Sequence, residues 1–137
     1  MFRWMLWVLL LALNCSSFAF DFKDEHRLVF FFSSLCPHCQ SEAPIVKAYA
    51  KAQMLQVEAY TLDGQGLPEF PKPKIPSEDL IKAAFAGQSI QTPATFIMNT
   101  KTLILYPLAI GELNFEELSS RMAELQVKVI DFERGFA

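Results

Sequence analysis

The chain has 137 residues, the length of one domain. It is 52% hydrophobic and 20% charged, enough apolar material for a packed core and too little charge for an intrinsically disordered chain. A formal net charge of -3, with no basic patch and no aromatic–basic interleaving, excludes nucleic acid as an expected partner.

Residues 1–19 read as a signal peptide ahead of a domain over residues 20–137. Arg3 supplies a positive n-region, Leu6 to Leu13 is an unbroken apolar run, and Ser17-Phe18-Ala19 places small residues where a signal peptidase reads. Cleavage is expected after Ala19, which puts the mature protein in the periplasm. Two alternatives stay open. One is an uncleaved anchor with Trp4 and Trp7 near an interface; the other is lipidation of Cys15, for which the preceding Asn14 is a poor fit. Loss of Cys15 with the leader leaves Cys36 and Cys39 as the cysteines of the mature chain. An exported chain meets an oxidising compartment.

The mature chain opens with a short charged lead-in, Phe20 to Arg27. Leu28 to Ser33 is continuously apolar and β-rich, as in a strand buried on both faces. Cys36-Pro37-His38-Cys39 follows at once. A helix is predicted from Pro37 to about Met54, with Pro37 in the first turn, Ala43, Val46, Tyr49 and Ala50 facing inward, and a kink at Pro44. Gln56 to Leu62 alternates as a second strand. Leu67 to Pro76 holds four prolines and reads as an extended surface loop, with Phe70 as a possible apolar docking anchor. Ser77 is placed to cap a helix over about 78–86, which Gly87 would stop. Ala94 to Met98 is a third strand and Thr102 to Ile110 a fourth, separated by a turn. Asn114 caps a final helix through about Gln126, with Leu118, Met122 and Leu125 on one face; the tail beyond Val127 is ambiguous.

The order β-α-β, a connecting helix, then β-β-α has topological consequences. The first unit requires a parallel pair with a right-handed crossover. The short turn makes the last pair antiparallel. The expected fold class is α/β, a four-stranded mixed sheet flanked by helices.

The cysteine pair carries the chemistry. Half of a zinc site would need two more ligands. The mature chain offers His26 and His38, and His38 lies between the cysteines. A structural disulfide across so short a loop gains little entropy. A reversible dithiol fits better. Cys36 precedes the helix, whose partial positive charge and free N–H groups favour a thiolate, so it is the expected nucleophile. Cys39 lies one turn inside and is the expected resolving thiol. His38 can add a positive or donor group near the Cys36 sulfur. Such motifs lower a cysteine pKa from about 8.5 to between about 7 and about 3.5. A stabilised thiolate makes the disulfide more oxidising and the thiol a better leaving group.

The helix-starting Cys-X-X-Cys, the βαβ order, Thr92-Pro93 before a strand, and Gly111 after the last strand together resemble the thioredoxin superfamily over nearly all of the mature chain. That resemblance implies a thioredoxin fold, a cis Pro93 beside the cysteines, and a Thr92 backbone offered to the substrate chain. Pro37, Thr92 and Pro93 are thereby the expected substrate-binding residues, with Cys36, His38 and Cys39 as the catalytic ones. The Pro-His dipeptide is similar to periplasmic oxidants, and Thr92-Pro93-Ala94-Thr95-Phe96 to periplasmic disulfide isomerases. The small size, the leader and these motifs together most resemble the TrbB-like thiol–disulfide isomerases of F-type conjugative transfer systems. The resemblance implies a monomeric disulfide isomerase that assists folding of cysteine-bearing substrates such as pilus-assembly proteins. It implies no metal or organic cofactor, and a membrane redox partner that resets the couple. The alternatives are a dedicated thiol reductase and a non-catalytic chaperone module.

Three departures stand out. Thioredoxins carry a buried carboxylate six residues before the first cysteine, where this chain has Phe30, so proton transfer from Cys39 would need water or another group. Leu35 replaces the usual Trp before Cys36. A chain of this length also holds no separate dimerisation domain of the kind found in the larger isomerases.

Overall fold

The computed structural model describes residues 21–135; the leader expected over residues 1–19 lies outside the described residues. The elements are α1 (Phe22–Glu25), β1 (His26–Phe32), α2 (Pro37–Ala52), β2 (Val57–Thr61), α3 (Glu78–Phe85), β3 (Ala94–Asn99), β4 (Leu105–Ile110) and α4 (Phe115–Gly135). The four strands form one mixed sheet in the order β2-β1-β3-β4. β1 and β2 are parallel, and β3 is antiparallel to both β1 and β4. The expected four-stranded architecture is therefore present. Among the described residues no helix is long and apolar enough to cross a membrane.

The apolar run of β1 is explained by its central position. Successive side chains of a strand point to opposite faces. Leu28, Phe30 and Phe32 join one core cluster with Val46 of α2 and Leu118, Met122 and Val129 of α4. Val29 and Phe31 join a second with Phe85 of α3, Phe96 and Met98. Full burial of each such phenylalanine contributes about 2–3 kcal/mol. The strand thus pins helices on both faces and fixes where its own C-terminal end, and hence Cys36, must sit.

Helix boundaries follow their caps. Cys36 is the N-cap of α2, its sulfur accepting the Cys39 N–H at 3.2 Å. The helix continues through Pro44 to Ala52. Ser77 Oγ accepts the Leu80 N–H at 3.1 Å, and α3 ends where Ala86 turns left-handed. Asn114 Oδ1 accepts the Glu117 N–H at 2.8 Å at the start of α4.

Four expectations need correction. The charged lead-in contributes elements of its own: Phe22 is buried in α1, and β1 starts at His26 and not at Leu28. β4 begins at Leu105 and not at Thr102. Asn99 Oδ1 captures the backbone N–H groups of Lys101 and Thr102, and Leu103 takes a φ of 61°, so the turn consumes the intervening residues. The final helix runs to Gly135 and not to Gln126. Val129 is buried, and Glu133 accepts hydrogen bonds from Asn99 and Tyr106 and pairs with His26. The proline-rich loop is tied to the sheet. The Lys74 N–H donates to Ala59 O, the Thr61 N–H donates to Lys74 O, and Phe70 packs its ring on Phe30 and Phe32 at 5.7 and 6.5 Å. Phe70 therefore anchors the loop to the core and is not an exposed docking residue.

Candidate functional site

The site forms where β1 stops. Phe32 is the last strand residue, and Ser33-Ser34-Leu35 turns the chain into α2. The Cys36 N–H donates to Ser33 O at 3.2 Å. Asp63, just beyond β2, holds this turn from the side. One carboxylate oxygen accepts the Ser34 N–H at 2.9 Å, the Ser34 hydroxyl at 2.6 Å and the Ser33 hydroxyl at 3.1 Å. The other accepts the Thr61 hydroxyl at 2.8 Å and the Gln65 N–H at 3.1 Å. These bonds, led by the Ser34 hydroxyl, hold the Asp63 carboxyl well below the usual carboxylate range. Leu35 projects 84% exposed beside the cysteine.

The opposite wall is the entry to β3. The Thr92–Pro93 peptide bond is cis. Cys36 Sγ donates to Thr92 O at 3.8 Å. Pro93 O accepts the Gly111 N–H at 2.8 Å, which ties this wall to the β4–α4 turn. Gly111 has a φ of 107°, a region that side-chain-bearing residues rarely occupy. The nucleophile candidate is thus held between two segments distant in sequence.

The two thiols have opposite environments. Partial burial disfavours the Cys36 thiolate, but hydrogen bonds from Cys39 (thiol and N–H), the Thr92 hydroxyl and the His38 N–H outweigh it and lower the pKa. Cys39 is fully buried. Burial, then the hydrogen bond to Cys36 and its charge, push that thiol up to about 12. One sulfur is therefore the more readily ionised and partly exposed, and the other is buried and holds its proton.

His38 is exposed at the start of α2. Its Nδ1 pairs with Glu112 Oε2 at 2.7 Å, while its backbone N–H is what acts on Cys36. The main chain of His38 is thus one of the donors that favour the Cys36 thiolate. The imidazole instead links α2 to the β4–α4 turn.

A family model described as TraF, F plasmid transfer operon protein, matches residues 20–123. The chain belongs to the TraF family. Protein TrbB of Escherichia coli (strain K12) is 35% identical over 87 residues, covering 64% of this chain and 48% of that protein. This TraF-family chain thus spans about half the length of that curated relative. Two solved structures share its fold. A thiol:disulfide interchange protein of the thioredoxin family from Chlorobium tepidum TLS superposes with a TM-score of 0.56 at 18% identity, over 74% of this chain and 80% of that one. A thioredoxin-related protein from Neisseria meningitidis serogroup B gives 0.52 at 19% identity, over 75% and 86%. The fold of the TraF-family chain is the thioredoxin fold.

The expected site residues Cys36, Pro37, His38, Cys39, Thr92 and Pro93 lie at one end of the sheet, on the α2 start and the β3 entry. Two residues were missed. Asp63 could have been read from its place after a strand, but which turn it braces depends on the parallel β1–β2 pairing. Glu42 is the larger omission. It is 0% exposed on α2, and neither carboxylate oxygen has a hydrogen-bond partner. Burial, and to a smaller extent the charge of Glu112, push its carboxyl up to about 7, against the field of the Leu113 N–H. Phe30 leaves β1 without a carboxylate, and α2 supplies one. The signal was present: residues 39, 42, 43, 46, 49 and 50 form one helical stripe, but a charged residue is ordinarily assigned to solvent.

Proposed function

We propose that this protein is an exported thiol–disulfide exchange enzyme acting as a disulfide isomerase on cysteine-bearing proteins, among them proteins of conjugative pilus assembly. The observation that carries the reading is the asymmetry of the two thiols. A partly exposed, low-pKa Cys36 caps a helix beside the Thr92–Pro93 entry, and a buried, high-pKa Cys39 lies behind it. The TraF family and the TrbB relative support the conjugative setting.

The chemistry follows from that asymmetry. Cys36 thiolate attacks one sulfur of a substrate disulfide, an S–S bond forms to Cys36, and the other substrate sulfur leaves as a thiolate. A stable Cys36 thiolate is also a good leaving group, so a second substrate thiolate can displace it and complete an isomerisation without net oxidation. Alternatively Cys39 displaces the substrate, closes the Cys36–Cys39 disulfide and leaves the substrate reduced by two electrons. The reverse sequence oxidises a substrate dithiol. Resetting the couple after either net reaction falls to a membrane redox partner. The reading places the mature protein in the periplasm as a monomer, with the leader removed after Ala19. A dedicated thiol reductase is the second reading, favoured by the buried Glu42 behind Cys39.

The test uses the chain purified after export, whose intact mass is expected to correspond to a start at Phe20. It is given a scrambled disulfide protein and, separately, the same protein reduced. Recovery of native pairing from the scrambled form marks an isomerase. Net reduction without recovery marks a reductase. Cys36→Ala is expected to lower the rate to the uncatalysed level, on the order of 100-fold or more. Folding assistance that survives Cys36→Ala would mean a non-catalytic chaperone module.

A further inference from the structure

We propose that Asp63 is a positioning residue for the second step of exchange. It clamps the Ser33–Ser34 turn so that the Ser33 backbone stays hydrogen-bonded to Cys39 while Cys39 attacks the mixed disulfide. The proposal rests on the exchange reading above and deepens it.

The parallel pairing of β1 and β2 builds the clamp. The Leu62 N–H donates to Phe32 O at 2.9 Å, so the chain leaving β2 runs beside the chain leaving β1, and Asp63 meets Ser33 and Ser34. Three donors of that turn converge on Asp63 Oδ2: the Ser34 N–H, the Ser34 hydroxyl and the Ser33 hydroxyl. Oδ1 is fixed from the β2 side by the Thr61 hydroxyl and the Gln65 N–H. Asp63 is exposed, where water satisfies most carboxylates; here the protein supplies five donors instead. The turn is also held from α2, where Gln40 Nε2 donates to Ser34 O at 2.8 Å. The donors of Ser34 are thus fixed by the β2 end and its acceptor by α2.

The clamped turn touches both cysteines, and in different ways. Ser33 O accepts the Cys36 N–H at 3.2 Å, which seats the start of α2. Burial and the hydrogen bond to Cys36 work against a Cys39 thiolate, while a hydrogen bond from the Ser33 backbone favours it. The Cys36 thiolate draws its donors from elsewhere: Cys39, Thr92 and His38. Loosening the turn should therefore act on the second thiol and spare the first. In the mixed disulfide, Cys36 is bonded to the substrate sulfur. Cys39 loses its proton to base from solvent, its thiolate attacks Cys36 Sγ, the Cys36–Cys39 bond forms, and the bond from Cys36 to the substrate breaks. The substrate sulfur leaves as a thiolate, and the enzyme dithiol is oxidised by two electrons. Cys39 is fully buried, so the charge that develops on it depends on donors already in place and not on water. The Ser33 N–H is such a donor, and Asp63 holds the residue that carries it.

The test follows the full reduced chain with a fluorescent glutathione disulfide in rapid-quench experiments, separating formation of the mixed disulfide from its resolution. Asp63→Asn, which removes the charge and one acceptor, is expected to slow resolution on the order of 10-fold, while formation keeps its rate. Ser34→Ala, which removes the shortest of the clamp's bonds, should slow resolution by a smaller factor and again leave formation alone. Because both changes act through one turn, the double variant should be slowed by less than the product of the two single effects. Resolution at the wild-type rate in Asp63→Asn, equal slowing of both steps, or a double effect equal to the product overturns the proposal and leaves the exchange reading standing. If Asp63→Asn does not fold by circular dichroism, Ser34→Ala decides alone: a wild-type rate of resolution there overturns the clamp. A wild type that forms no mixed disulfide at all overturns the exchange reading itself.

Discussion

At the scale of single residues, Glu42 trades stability for position. Its carboxyl rises from an ordinary 4.5 to about 7 in the fold, and at about 1.4 kcal/mol per unit this corresponds to about 3 kcal/mol. The sign follows from the direction of the shift. The folded state holds the proton more tightly, so the relative stability is fully present below the unfolded pKa and is lost as pH rises through about 7. Glu42→Gln is therefore expected to gain up to about 3 kcal/mol over the wild type at pH 8 in urea unfolding, with the gain shrinking toward pH 4.5. An equal effect at both pH values would mean that the carboxyl is not perturbed. Cys36 shows the opposite economy: its sulfur satisfies a helix N-terminus and is activated by the same bonds.

At the scale of elements, the far end of α4 closes the molecule at the end of the sheet opposite the cysteine pair. Glu133 accepts from Asn99 Nδ2 at 2.8 Å and the Tyr106 hydroxyl at 3.1 Å, and pairs with His26 Nε2 at 2.9 Å. One carboxylate therefore joins α4 to the start of β1, the end of β3 and the start of β4. These partners hold the Glu133 carboxyl below its ordinary value despite the opposing effect of partial burial. Such stability is present above the unfolded carboxylate pKa and is lost as pH falls. Glu133→Ala is expected to cost on the order of 3 kcal/mol at pH 7, since it strips the partner from a buried, charge-assisted network. Thermal melts of the two proteins should converge as pH drops below the carboxylate range. A melting point unchanged at pH 7 would mean that apolar contacts alone dock the helix tail.

At the scale of the whole molecule, both sheet edges are guarded. β2 is flanked by the Lys74 segment, which forms a bridge to Tyr60. β4 is the other edge and carries Pro107. Proline withholds the backbone donor that an incoming strand needs. Pro107→Val is expected to self-associate with rising concentration in analytical ultracentrifugation, while the wild type stays monomeric. Equal sedimentation of the two would show that the proline does not guard this edge. The end of the sheet that carries the two cysteines, by contrast, leaves Leu35 and Ile110 exposed.

Local rules carried the sequence a long way. Apolar runs, capping residues and turn signals located β1, α2, α3 and the start of α4, because those are decided by neighbours a few residues apart. Cys36-Pro37-His38-Cys39 and Thr92-Pro93 were legible for the same reason, as each motif is contiguous. Tertiary structure decided what depends on partners far along the chain. α4 extends to Gly135 because Glu133 meets residues on three strands. Phe70 turns inward because Phe30 and Phe32 offer it a surface. His38 faces Glu112, 74 residues away. Glu42 has an unremarkable charge in the sequence. Only the packing of α2 against β1 and α4 buries it, and burial is what makes its carboxyl retain a proton near neutrality.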